Sequence, residues 1–236
     1  AGDEGVMPQT REHLSICELL HIKSGLVVVT KTDLVEEDWL ALVEEDIRDF
    51  LKDTSLQDCP LVFTSSRTGE GMEELLSHLT DLAGEVESKS GSGPFRMPID
   101  RVFTMKGFGT VVTGTLTSGS VNIEDQVEVF PHNLVSRIRS IQVHNRSAER
   151  ALAGQRSAFN LSGVEKSSIT RGDVLSVPDR LQPTRLLDAR ITLLSSAPHP
   201  IKNRTRVRFH HGTAEIMARV ALLEGDRLEP GDEAFV

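Results

Sequence analysis

The hydrophobic period of this chain changes once, at a short polar stretch, and that change limits what the chain can fold into. Before Glu87-Ser-Lys-Ser-Gly-Ser-Gly-Pro94, apolar residues recur every three or four positions, with two short apolar runs between them. After it they fall in brief β-branched runs separated by turn residues. A spacing near 3.6 builds one face of a helix, and alternation builds one face of a strand. A Gly/Ser-rich polar segment at the switch has the composition of a flexible linker. The spacing therefore predicts a helix-and-strand unit followed by all-β units.

In the first part, Thr10 to Ile22 places Leu14, Cys17, Leu20 and Ile22 on one helical face. Glu36 to Leu51 does the same with Trp39, Leu40, Val43, Ile47 and Phe50, and Gly71 to Leu82 with Met72, Leu75, Leu76 and Leu79. Between them lie Leu26-Val-Val-Val and Leu61-Val-Phe, short runs of the kind buried in parallel sheets. Alternating helices and strands give an α/β fold with parallel strands.

In the second part, Thr110-Val-Val-Thr-Gly-Thr-Leu, Gln126-Val-Glu-Val-Phe, Ser136-Arg-Ile-Arg-Ser-Ile-Gln-Val and Asp173-Val-Leu-Ser-Val are punctuated by Gly-Ser, Pro-His-Asn and Arg-Gly-Asp turns. Short strands at such spacing predict β-barrels. A further boundary is expected near Pro178 to Thr184. A new set of strands starts at Leu187-Asp-Ala-Arg-Ile-Thr-Leu-Leu and continues through Thr205-Arg-Val-Arg-Phe and Ala214 to Leu223. With only a few strands before Val236, this last set is expected to be a partial barrel with an open edge. The expected division is residues 1–90, 97–180 and 184–236.

Composition excludes several classes. At 236 residues, 38% hydrophobic and 26% charged, the chain is ordinary for globular domains, and no run approaches the roughly 18 apolar residues of a membrane span. No signal peptide is evident. The two cysteines, Cys17 and Cys59, make neither a disulfide framework nor a metal site, so a reducing, cytoplasmic setting is expected. A net charge of −9 argues against a uniformly basic surface but leaves local RNA binding open.

The chemistry concentrates where the first two strands end. Leu26-Val-Val-Val opens into Thr30-Lys31-Thr32-Asp33, and Leu61-Val-Phe-Thr opens into Ser65-Ser66-Arg67-Thr-Gly-Glu-Gly. A carboxylate such as Asp33 can accept from both N1–H and the exocyclic amine of guanine, a pairing adenine does not offer. The bland alternative is a plain surface loop after a strand. A phosphate-cradling Gly-x-x-x-x-Gly-Lys-[Ser/Thr] loop would need a Gly-Lys pair, and none occurs in the sequence. Asp81-Leu-Ala-Gly84 matches a phosphate-sensing Asp-x-x-Gly string but sits at the end of a predicted helix, far from any strand end.

These residues resemble the translational GTPases related to elongation factor Tu, and among them the selenocysteine-specific branch. Asp3-Glu-Gly-Val-Met-Pro-Gln-Thr-Arg-Glu-His13-Leu is similar to the segment after the family's second switch, Thr30 to Asp33 to its guanine motif, and Ser65-Ser66-Arg67 to its Ser-Ala-Lys motif. The phrase Pro98-Ile-Asp-Arg-Val-Phe-Thr-Met-Lys-Gly-Phe-Gly-Thr-Val-Val-Thr-Gly-Thr-Leu resembles the selenocysteine branch, since elongation factor Tu usually carries Arg between the first two glycines.

The resemblance implies a chain covering the later half of a P-loop GTPase domain, then β-barrel domains, with the phosphate loop, both switches and the catalytic His upstream and messenger-binding domains downstream. It implies GTP or GDP with Mg²⁺ as cofactors of the complete protein, GTPase activity there but not in this chain alone, selenocysteyl-tRNA and the ribosome as partners, and no DNA or membrane partner. The guanine-binding set is then Thr30, Lys31, Asp33, Ser65, Ser66 and Arg67, with Thr30 standing where Asn is commoner. Asp100, Arg101 and Arg156 match an aminoacyl pocket, two guanidiniums and a carboxylate suited to a selenolate rather than a neutral seryl group. The same trio could be an Arg–Asp brace at a barrel rim.

Gly107, Gly109 and Gly114 precede a strand, not a helix, so a turn or bulge is expected in place of a dinucleotide site. Adjacent His210 and His211 in a strand face opposite ways and have no third metal ligand nearby. One is expected to pack inside the barrel, leaving the other with Arg206 and Arg208 for tRNA phosphates. Arg137 and Arg139 share one face, which suits a phosphate strip or a solvated surface equally. No metal site and no Ser-His-Asp or Cys-His catalytic set is expected. The alternatives are a general elongation factor or initiation-factor GTPase, and a tRNA-binding module without nucleotide chemistry.

Overall fold

The computed structural model describes residues 1–22, 24–85, 91–105, 107 and 109–236. The chain divides into two compact units, Ala1–Glu87 and Ser88–Val236. Part of the expected linker, and Lys106 and Phe108 of the Lys106-Gly-Phe-Gly phrase, lie outside the described residues.

In the first unit, α1 (Pro8–Leu19) starts on a proline, whose fixed φ and missing N–H suit a first turn. It stops earlier than the spacing predicts, because His21 takes a left-handed backbone with φ 54° and the chain turns there. Leu20 and Ile22 therefore leave the helix and are exposed. Strands β1 (Val27–Val29) and β2 (Leu61–Phe63) pair in parallel, Val27 opposite Leu61 and Val29 opposite Phe63. Helix α2 (Glu37–Leu51) has acidic residues in its first turn and Arg48 in its last, matching the helix dipole. It buries Val43, Ile47 and Leu51 against Val29 and Cys59. Helix α3 (Met72–Glu85) buries no residue, and its Met72, Leu76 and Leu79 stripe is exposed.

The second unit begins with β3 (Arg96–Met105), β4 (Gly109–Thr115), β5 (Ser120–Asn122), β6 (Gln126–Phe130), β7 (Leu134–Val143), β8 (Arg146–Ala148), β9 (Arg150–Leu152), β10 (Arg156–Leu161) and β11 (Val174–Ser176). Neighbours run β10-β4-β3-β11-β6-β7, and a β10–β7 pairing closes the ring, so no edge is left on these strands. The inside is filled by Phe95, Met97, Ile99, Val112, Ile138, Phe159, Leu175 and their neighbours. Phe95 and Phe159 meet edge to face at 6.0 Å. Burial of each such side chain contributes about 1.5–3 kcal/mol. Gly107 and Gly109 make the turn between β3 and β4 with positive φ, as expected. Gly114 works differently, since an added Cβ would lie 2.2 Å from the Pro98 carbonyl oxygen of the neighbouring strand.

After residue 184 come β12 (Arg190–Thr192), β13 (Ile201–Lys202), β14 (Arg206–His211), β15 (Ala214–Arg219), β16 (Arg227–Leu228) and β17 (Glu233–Phe235). They pair as three two-stranded ribbons, β12–β17, β13–β16 and β14–β15, around Val220, Leu222 and Leu228. The expectation of an inward-packed histidine fails. His210 and His211 are both exposed, on a ribbon whose strands β14 and β15 pair only with each other, although Arg96 of β3 reaches His211 Nε2 at 3.5 Å. His211 instead stacks on Phe209, ring centroids 6.2 Å apart.

Candidate functional site

Two clusters of polar side chains stand out, one in each unit. In the first, β1 ends at Val29 and the chain enters a single 3₁₀ turn, Thr32–Leu34, through Lys31 at φ 60°. That left-handed backbone is costly for a residue with a Cβ and is held from both sides. Gly2 N–H donates to the Thr30 carbonyl at 2.7 Å, and Thr64 N–H donates to the Val29 carbonyl at 2.8 Å. The second loop is closed just as tightly: Gly69 N–H donates to Ser65 O at 2.8 Å and Ser65 N–H to Glu70 O at 3.1 Å. At Gly71, with φ 70°, an added Cβ would lie 1.9 Å from the Phe63 carbonyl oxygen.

These loops bring Asp33, Ser65 and Arg67 together. Ser65 Oγ donates to Asp33 Oδ1 at 2.5 Å, and Arg67 Nε donates to Asp33 Oδ2 at 2.6 Å. The Ser65 hydroxyl first, then Arg67, hold the Asp33 carboxyl below its usual range against the opposing effect of burial. Only 9% of the Asp33 side chain is exposed, against 71% of Arg67. Each carboxylate oxygen can accept more than one donor, so Ser65 fixes the plane of the carboxylate while Oδ2 takes the largely exposed Arg67. This arrangement fits a guanine edge, whose two donors would meet the same carboxylate. Lys31 points elsewhere, its Nζ 3.8 Å from Asp3 Oδ2, and Thr30 and Ser66 are exposed on the loops beside Asp33. The Thr32 hydroxyl is buried without a partner.

The second cluster sits on the barrel. Strand β3 pairs with β4 as Ile99 with Gly114 and then Arg101 with Thr113, so Asp100 is the extra residue of a β-bulge. Bulges re-aim side chains, and this one turns Asp100 toward β10. Arg156 donates to both Asp100 oxygens, through Nη1 to Oδ2 and through Nη2 to Oδ1 at 3.2 Å. Thr113 Oγ1 donates to Oδ1 at 2.7 Å. Burial pushes the Asp100 carboxyl up, but the Arg156 and Thr113 hydrogen bonds outweigh it and hold it below the ordinary value. Arg156 is correspondingly raised by the Asp100 hydrogen bond.

Arg156 and Thr113 line a cleft of about 270 Å³ with Gln142, His144 and Asn145. His144 and Asn145 form the two-residue turn between β7 and β8, both with positive φ, as tight hairpins require. Arg101 is not in this cleft. It lies along a shallow groove that Asp100 also lines, with Lys166, Thr170 and Arg171, and acts on Asp100 through its charge.

Against known proteins, residues 1–85 match the elongation factor Tu GTP binding domain and residues 109–176 match elongation factor Tu domain 2. The selenocysteine-specific elongation factor of Desulfomicrobium baculatum is 50% identical over 234 residues, 99% of this chain and 37% of that protein. The chain belongs to the selenocysteine-specific elongation factor family. The Escherichia coli (strain K12) factor of the same name is 36% identical over 97% of the chain and 36% of its own length. A bacterial selenocysteine-specific elongation factor of solved structure superposes with a TM-score of 0.82 at 30% identity, covering 100% of this chain and 40% of that one. The apo form of the factor SelB from Methanococcus maripaludis gives 0.80 at 27%, covering 99% and 54%.

The chain thus spans little more than a third of the curated relatives named here, and the family is one of translational GTPases. Within it, Thr113 is a contributor that sequence reasoning missed. Its signal was the register of the β3–β4 hairpin, which only a bulge at Asp100 makes correct. No helix among the described residues is long and apolar enough to cross a membrane.

Proposed function

We propose that this chain supplies the guanine-reading loops and the aminoacyl pocket of a GTP-dependent factor that carries selenocysteyl-tRNA to the ribosome in the cytoplasm. The observation that carries the reading is the Asp100–Arg156 pair, fixed by Thr113 at the rim of the cleft. A selenol is more acidic than a thiol and is an anion near neutral pH. A guanidinium held in place by a carboxylate favours that anion over a neutral hydroxyl, which brings no charge to offset the loss of water. Arg101, across the bulge, adds positive charge but stands behind Arg156 in this role.

In the first unit, Asp33 accepts from the guanine N1–H and exocyclic amine, Ser65 keeps the carboxylate oriented, and Thr30, Lys31, Ser66 and Arg67 shape the loops around the base. Bound nucleotide supplies the phosphates whose hydrolysis switches the complete factor, with Mg²⁺ as its counterion. The reading assigns no Mg²⁺ ligand to these residues. Arg206, Arg208, His210 and His211 on the β14–β15 ribbon are its candidate phosphate contacts. The test is Arg156→Ala, read as protection of selenocysteyl- and seryl-tRNA against spontaneous deacylation. Loss of preference for the selenocysteyl ester is expected, and an unchanged preference removes the pocket.

A further inference from the structure

The carbonyl of Ile99, the residue before the bulge, is where the barrel and the β14–β15 ribbon meet. It accepts the Gly172 N–H at 3.0 Å and the Thr213 hydroxyl at 2.6 Å, so both lone-pair positions are used. The Ile99 N–H donates to Asp173 O at 2.8 Å. Every polar group of the Ile99 backbone is therefore tied down, two of the three ties coming from the loop before β11 and the third from the ribbon tip.

The packing around this peptide leaves no room for side chains. A Cβ on Gly114 would approach Pro98 O to 2.2 Å, one on Gly212 would come within 3.1 Å of the Pro98 ring, and one on Gly172 would lie 3.0 Å from Ala214 Cα. Gly114 thus lets its strand press on the Pro98 carbonyl, Gly212 seats the ribbon tip on the Pro98 ring, and Gly172 lets the loop before β11 close on Ala214 at the base of β15. The next residue is Asp100, which as the extra residue of a bulge has no cross-strand partner to set its direction. Its aim toward Arg156 depends on the orientation of the peptide before it.

We propose that Thr213, through the Ile99 carbonyl, is a positioning residue for the aminoacyl pocket: the ribbon tip holds the bulge that aims Asp100 at Arg156. The ribbon that carries Arg206 and Arg208 is thereby joined to the pocket by one hydrogen bond and a close contact at the Pro98 ring. A pull on the ribbon by a bound polyanion is transmitted to the carboxylate that holds Arg156. This inference rests on the pocket reading above for its functional meaning, though its structural part does not.

The experiment compares Thr213→Val, which removes the hydroxyl at nearly constant shape, with Thr213→Ser, which keeps it. On the chain without tRNA, NMR of the Asp100 carboxyl and Arg156 guanidinium reports the pair directly. Thr213→Val is expected to move both signals toward those of unpaired groups and Thr213→Ser to restore them. The ratio of selenocysteyl to seryl ester protection is expected to fall about five-fold in Thr213→Val, the effect of losing one ordinary hydrogen bond. Should Thr213→Val not fold, Gly212→Ala keeps the hydroxyl but forces the tip off Pro98, and the same two signals are expected to move. Unchanged Asp100 and Arg156 signals in a folded variant overturn the proposal. If those signals move while Arg156→Ala itself leaves the protection ratio unchanged, the positioning role stands and the pocket reading fails.

Discussion

Asp33 Oδ2 and Arg67 Nε stand 2.6 Å apart, so the carboxylate expected to read guanine is already paired with a guanidinium from the second loop. Guanidinium and the guanine edge present the same kind of adjacent N–H donors, and both suit one carboxylate. On the proposed reading, Arg67 is expected to yield its place on Oδ2 to the base while remaining on the loop beside it. Replacing Arg67 by alanine is expected to change GDP affinity by no more than about five-fold, as befits an exposed pair. Fluorescent-GDP titration of both proteins checks this.

Asp33→Asn reverses the donor pattern the base must supply. Affinity is expected to fall at least roughly 100-fold for guanine nucleotides and to recover for xanthine nucleotides, since an unmatched buried polar group is costly. Competition between GDP and xanthosine diphosphate reads the switch, and equal GDP binding by the variant would remove Asp33 from the site.

The depressed Asp33 carboxyl also sets a pH dependence. Its folded value lies below the unfolded one, so its contribution to stability is fully present above about pH 4 and is lost as pH falls through the folded value. Ser65→Ala and Arg67→Ala are each expected to raise the Asp33 titration point, because the Ser65 hydroxyl and the Arg67 guanidinium both hold it down. Carboxyl-carbon NMR titration of the three proteins checks this.

Glycines with similar roles on paper are expected to differ in the tube. Gly114→Ala drives a methyl onto the Pro98 carbonyl, and Gly71→Ala drives one onto the Phe63 carbonyl at positive φ. Each is expected to cost about 2–4 kcal/mol. Gly107→Ala has nothing within 4 Å and pays only for its φ of 85°, about 1–2 kcal/mol. Urea unfolding midpoints separate the pair from the single.

Arg206 and Arg219 lie directly opposite each other in the β14–β15 register, an arrangement that destabilises a ribbon unless an anion lies across it. If that anion is tRNA, Arg206→Ala is expected to weaken binding and lower the log–log salt slope by roughly 0.9. Binding measured at several salt concentrations gives the slope directly.

The sequence by itself determined the division at the polar linker, the α/β then all-β order, and the residues at the loop ends, because these depend on local period and on turn residues. It also named Asp33, Ser65 and Arg67 together, since two strands that pair in parallel must bring their following loops side by side. Tertiary structure alone decided the rest. Leu20 and Ile22 left the first helix when His21 turned the chain, and the Met72, Leu76 and Leu79 stripe on α3 stayed exposed. His211 stacked on Phe209 and met Arg96 at the surface instead of turning inward. Most of all, a one-residue bulge let Asp100 bond Arg156 and Thr113 while Arg101, beside it, stays out of their cleft. A bulge is a property of register between strands, and register is settled by what packs inside the barrel and by how closely segments can approach, as Gly114 does at the Pro98 carbonyl and Gly212 at the Pro98 ring.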